Sequence, residues 1–180
     1  MVNRPKAQGT AAESAVLRCV QANGFPSAYR QVLHGAADHG DLWLCKGVII
    51  EVKDWDKPSI PLFLRETEIE RRNAKADFAF CVYKKPGVGY PNAHLWPAVI
   101  RAGWLFDVMP KVAAAAQPWP QGLAWRSKAA HGHKDDLDMY EVTMTLHDML
   151  RLLRVAGYGE EDHGFAQGDP GDGVPALLVS

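Results

Sequence analysis

The chain has 180 residues, enough for one domain with a sizeable core, and its 47% hydrophobic and 23% charged residues are ordinary globular values. Twenty lysines and arginines against 21 acidic residues give a formal charge of −1, so overall charge offers nucleic acid no attraction and any DNA footprint must come from a local basic face. Three widely spaced cysteines (Cys19, Cys45, Cys81) without a CxxC pair, no apolar leader and no long apolar run predict a soluble, cytoplasmic protein without a membrane partner.

In chain order, residues 1–9 carry Arg4 and Lys6 and no acidic residue, which reads as a mobile basic arm. Thr10 to Asn23 predicts a helix: Val16, Leu17 and Val20 form its apolar stripe and Gly24 suits the position after its end. Glu13 lies in line with that stripe and should look toward a sheet, where a carboxylate needs a cation or a donor. A second use is open to it, because Thr10-x-x-Glu13 has the spacing of a capping box. Ser27 to Leu33 predicts a strand with Arg30 at its middle, either on a solvated face or against a phosphate. His34, Asp38 and His39 follow without tight metal-ligand spacing and read as loop residues.

Asp41 to Leu44 and Val48 to Lys53 are two β-rich runs, and Cys45-Lys46-Gly47 suits a three-residue hairpin loop with Gly47 at the position that needs positive φ. Pairing residue 44 with 48 makes every opposed pair sum to 92, so Leu42 faces Ile50 and Asp41 faces Glu51. Side chains alternate along a strand, which puts Glu51 and Lys53 on the face of Asp41 and turns Val52 away. Two carboxylates that close repel unless something positive lies between them, and a hard divalent cation such as Mg²⁺ or Mn²⁺ suits oxygen donors.

Residues 54–58 form a turn, after which Ser59 can cap a helix from Pro61 to about Lys75. Arg65, Arg72 and Lys75 fall near one face of it, and Glu68 with Arg72 has ion-pair spacing. Such a face is either solvated or set against a DNA backbone. Asp77 to Tyr83 is an apolar strand that should join the sheet by a crossover, ending at Lys84 and Lys85, which either solubilise an edge or reach phosphates. Beyond Val88 the pattern weakens: His94 to Ile100 suits a strand, and Gly103 to Ala116 a helix broken at Pro110. Trp96, Trp104, Trp119 and Trp125 suit a core, a subunit contact or a base-stacking surface. Asp138 to Thr143 predicts a strand, and Thr145-x-x-Asp148 opens a helix with the stripe Leu146, Met149, Leu150 and Leu153, closed by Gly157. One domain over residues 1–157 is expected, with a core at about 10–85, an insertion at 88–134 and a mobile acidic tail from 158 to 180 whose Val174 to Val179 can dock on the body or on a partner.

The series Gly40-Asp41, then Glu51-Val52-Lys53, resembles the active-site signature of the PD-(D/E)XK nuclease superfamily, with glycine in place of the first proline. Glu13 on an upstream helix, the Asn23-Gly24-Phe25 turn and the strand residue Arg30 make the archaeal and phage type of Holliday-junction resolvase its nearest branch, over roughly residues 4–85. The resemblance implies an α/β fold of restriction-endonuclease-like type, an αβββαβ core with a mixed sheet flanked by helices. It implies an Mg²⁺-dependent endodeoxyribonuclease, with Mn²⁺ as a substitute, that acts as a homodimer on four-way junctions in DNA recombination or repair. Asp41, Glu51 and the Val52 carbonyl would hold the metal, Glu13 would bind a second ion or an intervening water, and Lys53 would orient the attacking water. Arg4, Lys6, Arg30, Arg72, Lys84 and Lys85 would meet the DNA. Two other functions fit the same residues: a repair, nicking or restriction-type nuclease, and a non-catalytic DNA-binding protein on a worn nuclease fold. Ser14, where a basic residue is expected after Glu13, keeps the last of these open.

Overall fold

The computed structural model describes residues 4–31, 39–55, 57–105, 124–127 and 140–159, with the side chains of 4–8 and 124–127 outside the described set. Helix α1 (Arg4–Ala22) buries Ala12, Ala15, Val16 and Val20 along one stripe. It begins at Arg4 rather than at Thr10, so the expected basic arm is helical from that residue on. Pro5 is tolerated in a first turn, and Gly9 costs only about 1 kcal/mol. Thr10 is therefore inside the helix, where its carbonyl accepts from Ser14 Oγ at 2.7 Å, and the capping box with Glu13 does not form. Gly24, at φ +98°, turns the chain out of α1.

The strand expected over Ser27 to Leu33 contracts to β1 (Tyr29–Arg30), with residues 32–38 outside the described set. β2 (Leu42–Cys45) and β3 (Val48–Lys53) form the hairpin, with Leu42 opposite Ile50 and Trp43 opposite Ile49 as the sum of 92 requires. The register then shifts, and Cys45 rather than Leu44 faces Val48. The loop is thus Lys46-Gly47 alone, Gly47 at φ +78°, and the extra residue is absorbed as a bulge in β2.

α2 (Ile60–Asn73) carries the chain over the sheet to β4 (Phe78–Tyr83), which pairs parallel to β3 with Glu51 beside Cys81 and Lys53 beside Tyr83. Ser59 stands at its N-cap without a side-chain cap bond, and the helix stops before Lys75, which adopts φ +52°. A 3-10 helix (Tyr90–Leu95) then precedes β5 (Pro97–Arg101), replacing the single strand expected from His94. Trp96 anchors this change: it is fully buried and its indole N–H donates to the Val88 carbonyl at 3.2 Å. Residues 102–105 start a helical turn, while the remainder of the helix expected to Ala116 lies outside the described residues, as does Trp119. β6 (Ala124–Ser127), which the sequence pattern did not reveal, pairs with β7 (Tyr140–Thr145), and α3 (Leu146–Val155) follows.

The described strands form one mixed sheet in the order β1-β2-β3-β4-β5-β7-β6, and among them only β3 and β4 run parallel. Its principal core lies on the face of α1 and α3, where Val16, Phe25, Leu42, Ile50, Val52, Phe80, Trp96, Met149 and Leu153 pack together. α2 covers the opposite face, where Ile49, Ala76 and Ala79 form a smaller cluster. The architecture is thus mixed α/β with helices on both sides of the sheet. Tyr158 packs against the principal core, so the chain stays docked to that point; residues 160–180 lie outside the described set. Among the described residues no helix is long and apolar enough to cross a membrane, and Cys19, Cys45 and Cys81 are free.

The α3 entrance matches its expected signals. Thr145 Oγ1 accepts from the Asp148 amide at 3.1 Å and donates to the Asp148 carboxylate at 2.7 Å, while Leu146, Met149, Leu150 and Leu153 are buried. Gly157 takes φ +89° at the other end. Thr145→Ala should lower stability by about 1 kcal/mol, read as a drop of roughly 2–4 °C in thermal melting.

Candidate active site

β3 supplies the centre of the site because its pleat sends Glu51 and Lys53 to the α2 face while Ile50 and Val52 enter the principal core. Asp41 stands one residue before β2, at the open end of the hairpin. Its Oδ2 accepts from the Val52 amide at 2.7 Å, and its carboxyl shares a hydrogen bond with Glu51. Lys53 uses its own carbonyl on the β4 side, where the Lys84 amide donates to it at 2.8 Å. By alternation the Val52 N–H and C=O both point toward β2 and Asp41.

α2 adds two residues that the motif did not include. Lys53 Nζ lies 2.5 Å from Glu51 Oε1 and 3.0 Å from Glu66 Oε2, and Glu70 shares a hydrogen bond with Glu51. Glu51 is therefore coupled to Asp41 on one side and to Glu70 on the other, with the Lys53 ammonium beside it. Positions 63, 66, 67 and 70 make the inward stripe of α2, and Phe63, Thr67 and Glu70 are buried on it. Two glutamates on a stripe that should be apolar were the signal in the sequence, since a buried carboxyl requires a compensating partner.

Burial, and then the Glu51 charge, push the Asp41 carboxyl up to about 8; the Val52 amide opposes this only in part. Glu51, 5% exposed, is also pushed up to about 8, by burial and then by its hydrogen bond to and repulsion from Glu70, against the pull of Lys53. The Lys53 ammonium is held above the usual lysine range: burial works against it, and contact with Glu51 and Glu66 outweighs burial. Lys53 is therefore a fixed positive charge and not a proton acceptor at neutral pH. Cys81, under Glu51 in the sheet, is fully buried with its thiol pushed well up by burial and then by Glu51, which removes it as a nucleophile.

The remaining expected residues are placed elsewhere. Glu13 and Arg30 form an ion pair with each other. Arg30, the neighbour of Tyr29 on β1, passes to the α1 face, so the Glu13 carboxylate is taken up there, although its charge still raises Asp41. Arg72 pairs with Glu68 at 2.6 Å, which also holds Arg71 at 2.8 Å. Lys84 lies 3.3 Å from Asp54 and over the Tyr90 ring, and Lys85 is exposed. Arg4 and Lys6 lie at the start of α1, their side chains outside the described set, as are His34 and Asp38.

Among the described residues no group of three or more His, Cys, Asp or Glu side chains is arranged so that it could hold a metal ion. Mg²⁺ does not require such a group: it binds through one or two carboxylates and fills its other positions with water and substrate phosphate. Two buried carboxyls beside a main-chain carbonyl fit that donor set, and burial with the repulsion among the acidic groups raises their proton affinity in spite of the Val52 amide on Asp41 and the Lys53 ammonium beside Glu51. Comparison of the chain with protein-family models, with curated proteins and with solved structures finds no match to any of the three.

Proposed function

We propose that the protein is a metal-dependent DNA endonuclease of PD-(D/E)XK type that resolves four-way junctions. The observation that carries this reading is the contact between the Asp41 and Glu51 carboxyls at the open end of the hairpin, with the Lys53 ammonium 2.5 Å from Glu51 on the same face. The element order α1-β1-β2-β3-α2-β4, with a β-meander followed by a parallel crossover, supports the restriction-endonuclease-like αβββαβ core.

Asp41, Glu51 and the Val52 carbonyl would hold Mg²⁺ or Mn²⁺, which supplies charge neutralisation of a phosphate and a more acidic water. The residues supply the rest. Asp41 is braced by the Val52 amide at Oδ2, so a cation would have to displace only the hydrogen bond that its carboxyl shares with Glu51. Glu51 must release its shared proton to bind a cation. Lys53, clamped between Glu51 and Glu66, places a permanent positive charge beside the reacting phosphate, where it stabilises negative charge as it develops. Arg30, Arg72 and Lys84 have acidic partners within the chain, so each exchanges a carboxylate for a phosphate if it contacts DNA. Paired nicks across a symmetric junction require two sites about a two-fold axis, hence a homodimer.

The test is incubation of the protein with an end-labelled four-way junction, and with flap, linear duplex and single-stranded DNA, with Mg²⁺, with Mn²⁺ and with chelator. Paired symmetric nicks in the junction, present with either cation and absent with chelator, are expected. Equal cutting of all substrates assigns a general nuclease instead. Binding without any cation-dependent cutting assigns a non-catalytic DNA-binding protein.

A further inference from the structure

Tyr29 and Trp43 stand directly opposite each other in the β1–β2 register, and their rings stack with centroids 5.1 Å apart and planes 22° from parallel. Trp43 faces Ile49 across the hairpin, so strand alternation sends it to the side of the sheet that carries Glu51 and Lys53, while its half-buried side chain also touches residues of the principal core cluster at the sheet edge. It lies two residues from Asp41, about 7 Å along the strand. Tyr29 keeps 52% of its surface exposed, the largest share of any large hydrophobic side chain among the described residues. α2 packs chiefly over β3, β4 and β5, so this ledge at the sheet edge lies beside the acidic site rather than beneath the helix.

We infer that the Tyr29–Trp43 stack is a platform for one unpaired nucleobase of the substrate, next to the phosphate handled at Asp41 and Glu51. The inference rests on the nuclease reading and narrows its substrate. Charge argues for this occupant. The site carries Asp41, Glu51, Glu66 and Glu70, the charge of Glu13 also acts on Asp41 from the α1 side, and Arg30, Arg72 and Lys84 are engaged with carboxylates. Attraction to phosphate near the site is therefore weak without a cation, and stacking, which is insensitive to charge, supplies adhesion there. A base inside an intact duplex has both faces covered and cannot lie on the ledge. The favoured DNA thus has an unstacked nucleotide beside the scissile phosphate, as at a branch point or a flap.

The experiment is an abasic scan. Single nucleotides around the branch of a fluorescein-labelled four-way junction are replaced in turn by abasic sites, and affinity is read by anisotropy in Ca²⁺ for the wild-type protein, Tyr29→Phe, Tyr29→Ala and Tyr29→Leu. Wild type and Tyr29→Phe should lose about tenfold in affinity at one position next to the cut. Tyr29→Ala and Tyr29→Leu should bind the intact junction about tenfold more weakly and be indifferent to that abasic site. Leucine maintains an apolar strand residue if alanine loosens β1. A ring with a purely structural role would lower melting temperature and leave the abasic profile unchanged, which overturns the inference. A flat profile for wild type overturns it too, as does a Tyr29→Ala variant that changes sedimentation mass but not the profile, because the ledge is then a contact between copies. Wild-type protein that neither binds the junction nor cuts it with Mg²⁺ removes the nuclease reading itself, whereas cutting with a flat profile removes the platform alone.

Discussion

Asp41→Asn, Glu51→Gln and Lys53→Ala should each lower the single-turnover rate of junction cleavage by at least about 10³-fold, the scale on which a pre-placed electrostatic group acts in a transition state. The three fail for different reasons. Asparagine at 41 keeps the acceptor for the Val52 amide, so the hairpin end stays closed while one of two anionic donors is gone. Glutamine at 51 removes the other and preserves hydrogen bonding toward Glu70. Alanine at 53 leaves both carboxyls but strips away the ammonium that lies 2.5 Å from Glu51 and 3.0 Å from Glu66. Metal affinity therefore separates them: titration calorimetry should show weakened Mg²⁺ or Mn²⁺ binding for the first two and retained binding for Lys53→Ala. Circular dichroism and junction affinity in Ca²⁺ should remain close to wild type for Lys53→Ala. Wild-type cleavage by any one of the three refutes the assignment of its residue.

The same residues set the response to pH. Asp41 and Glu51 titrate near 4 in an unfolded chain and at about 8 in the folded one. Between those values the folded state binds more protons than the unfolded state, so stability from this pair is fully present below about pH 4, falls as pH rises and is lost above about pH 8. In chelator, melting temperature should decline across that window, more steeply for the wild type than for Asp41→Asn, the comparison cancelling titration of other groups. At pH 8.5 the variant should be the more stable by about 1–3 kcal/mol, roughly 2–4 °C per kcal/mol. Saturating Mg²⁺ should reverse the order, stabilising the wild type by about 2.7 kcal/mol at a hundred times the dissociation constant, more at high pH because the ligands must be deprotonated. A variant less stable than wild type at pH 8.5 in chelator would mean that the Val52 amide already satisfies Asp41, and the electrostatic case for a cation would fall.

Local patterns, where one neighbour decides the conformation, were readable from the chain alone. Thr145 and Asp148 signalled the α3 cap, Leu146, Met149, Leu150 and Leu153 its inward face, and the pairings of Leu42 with Ile50 and Trp43 with Ile49 followed from the hairpin arithmetic. That arithmetic failed at Cys45, because a bulge inserts a residue without altering the hydrophobic alternation from which register is read. The start of α1 was missed because residues 1–9, basic and without an acidic residue, read as an arm and Thr10-x-x-Glu13 as a cap, yet the helix runs from Arg4 and absorbs the small cost of Gly9.

The chemistry divides along the same line. Strand alternation put Asp41, Glu51 and Lys53 within reach of one another, since the period of two leaves no other arrangement for a hairpin of this length. The helical spacing could mark Glu66 and Glu70 as inward carboxyls in need of partners, but not that Glu70 would bond Glu51, that Glu66 would clamp Lys53, or that Arg30 would be taken up by Glu13. Those depend on how α1 and α2 cross the sheet, and a crossing is settled by long-range packing of whole faces rather than by any short run of residues. The amino-acid order alone determined which side chains share the β3 face; only the assembled layers decided which helix residues meet them, and with that how far burial raises their proton affinity.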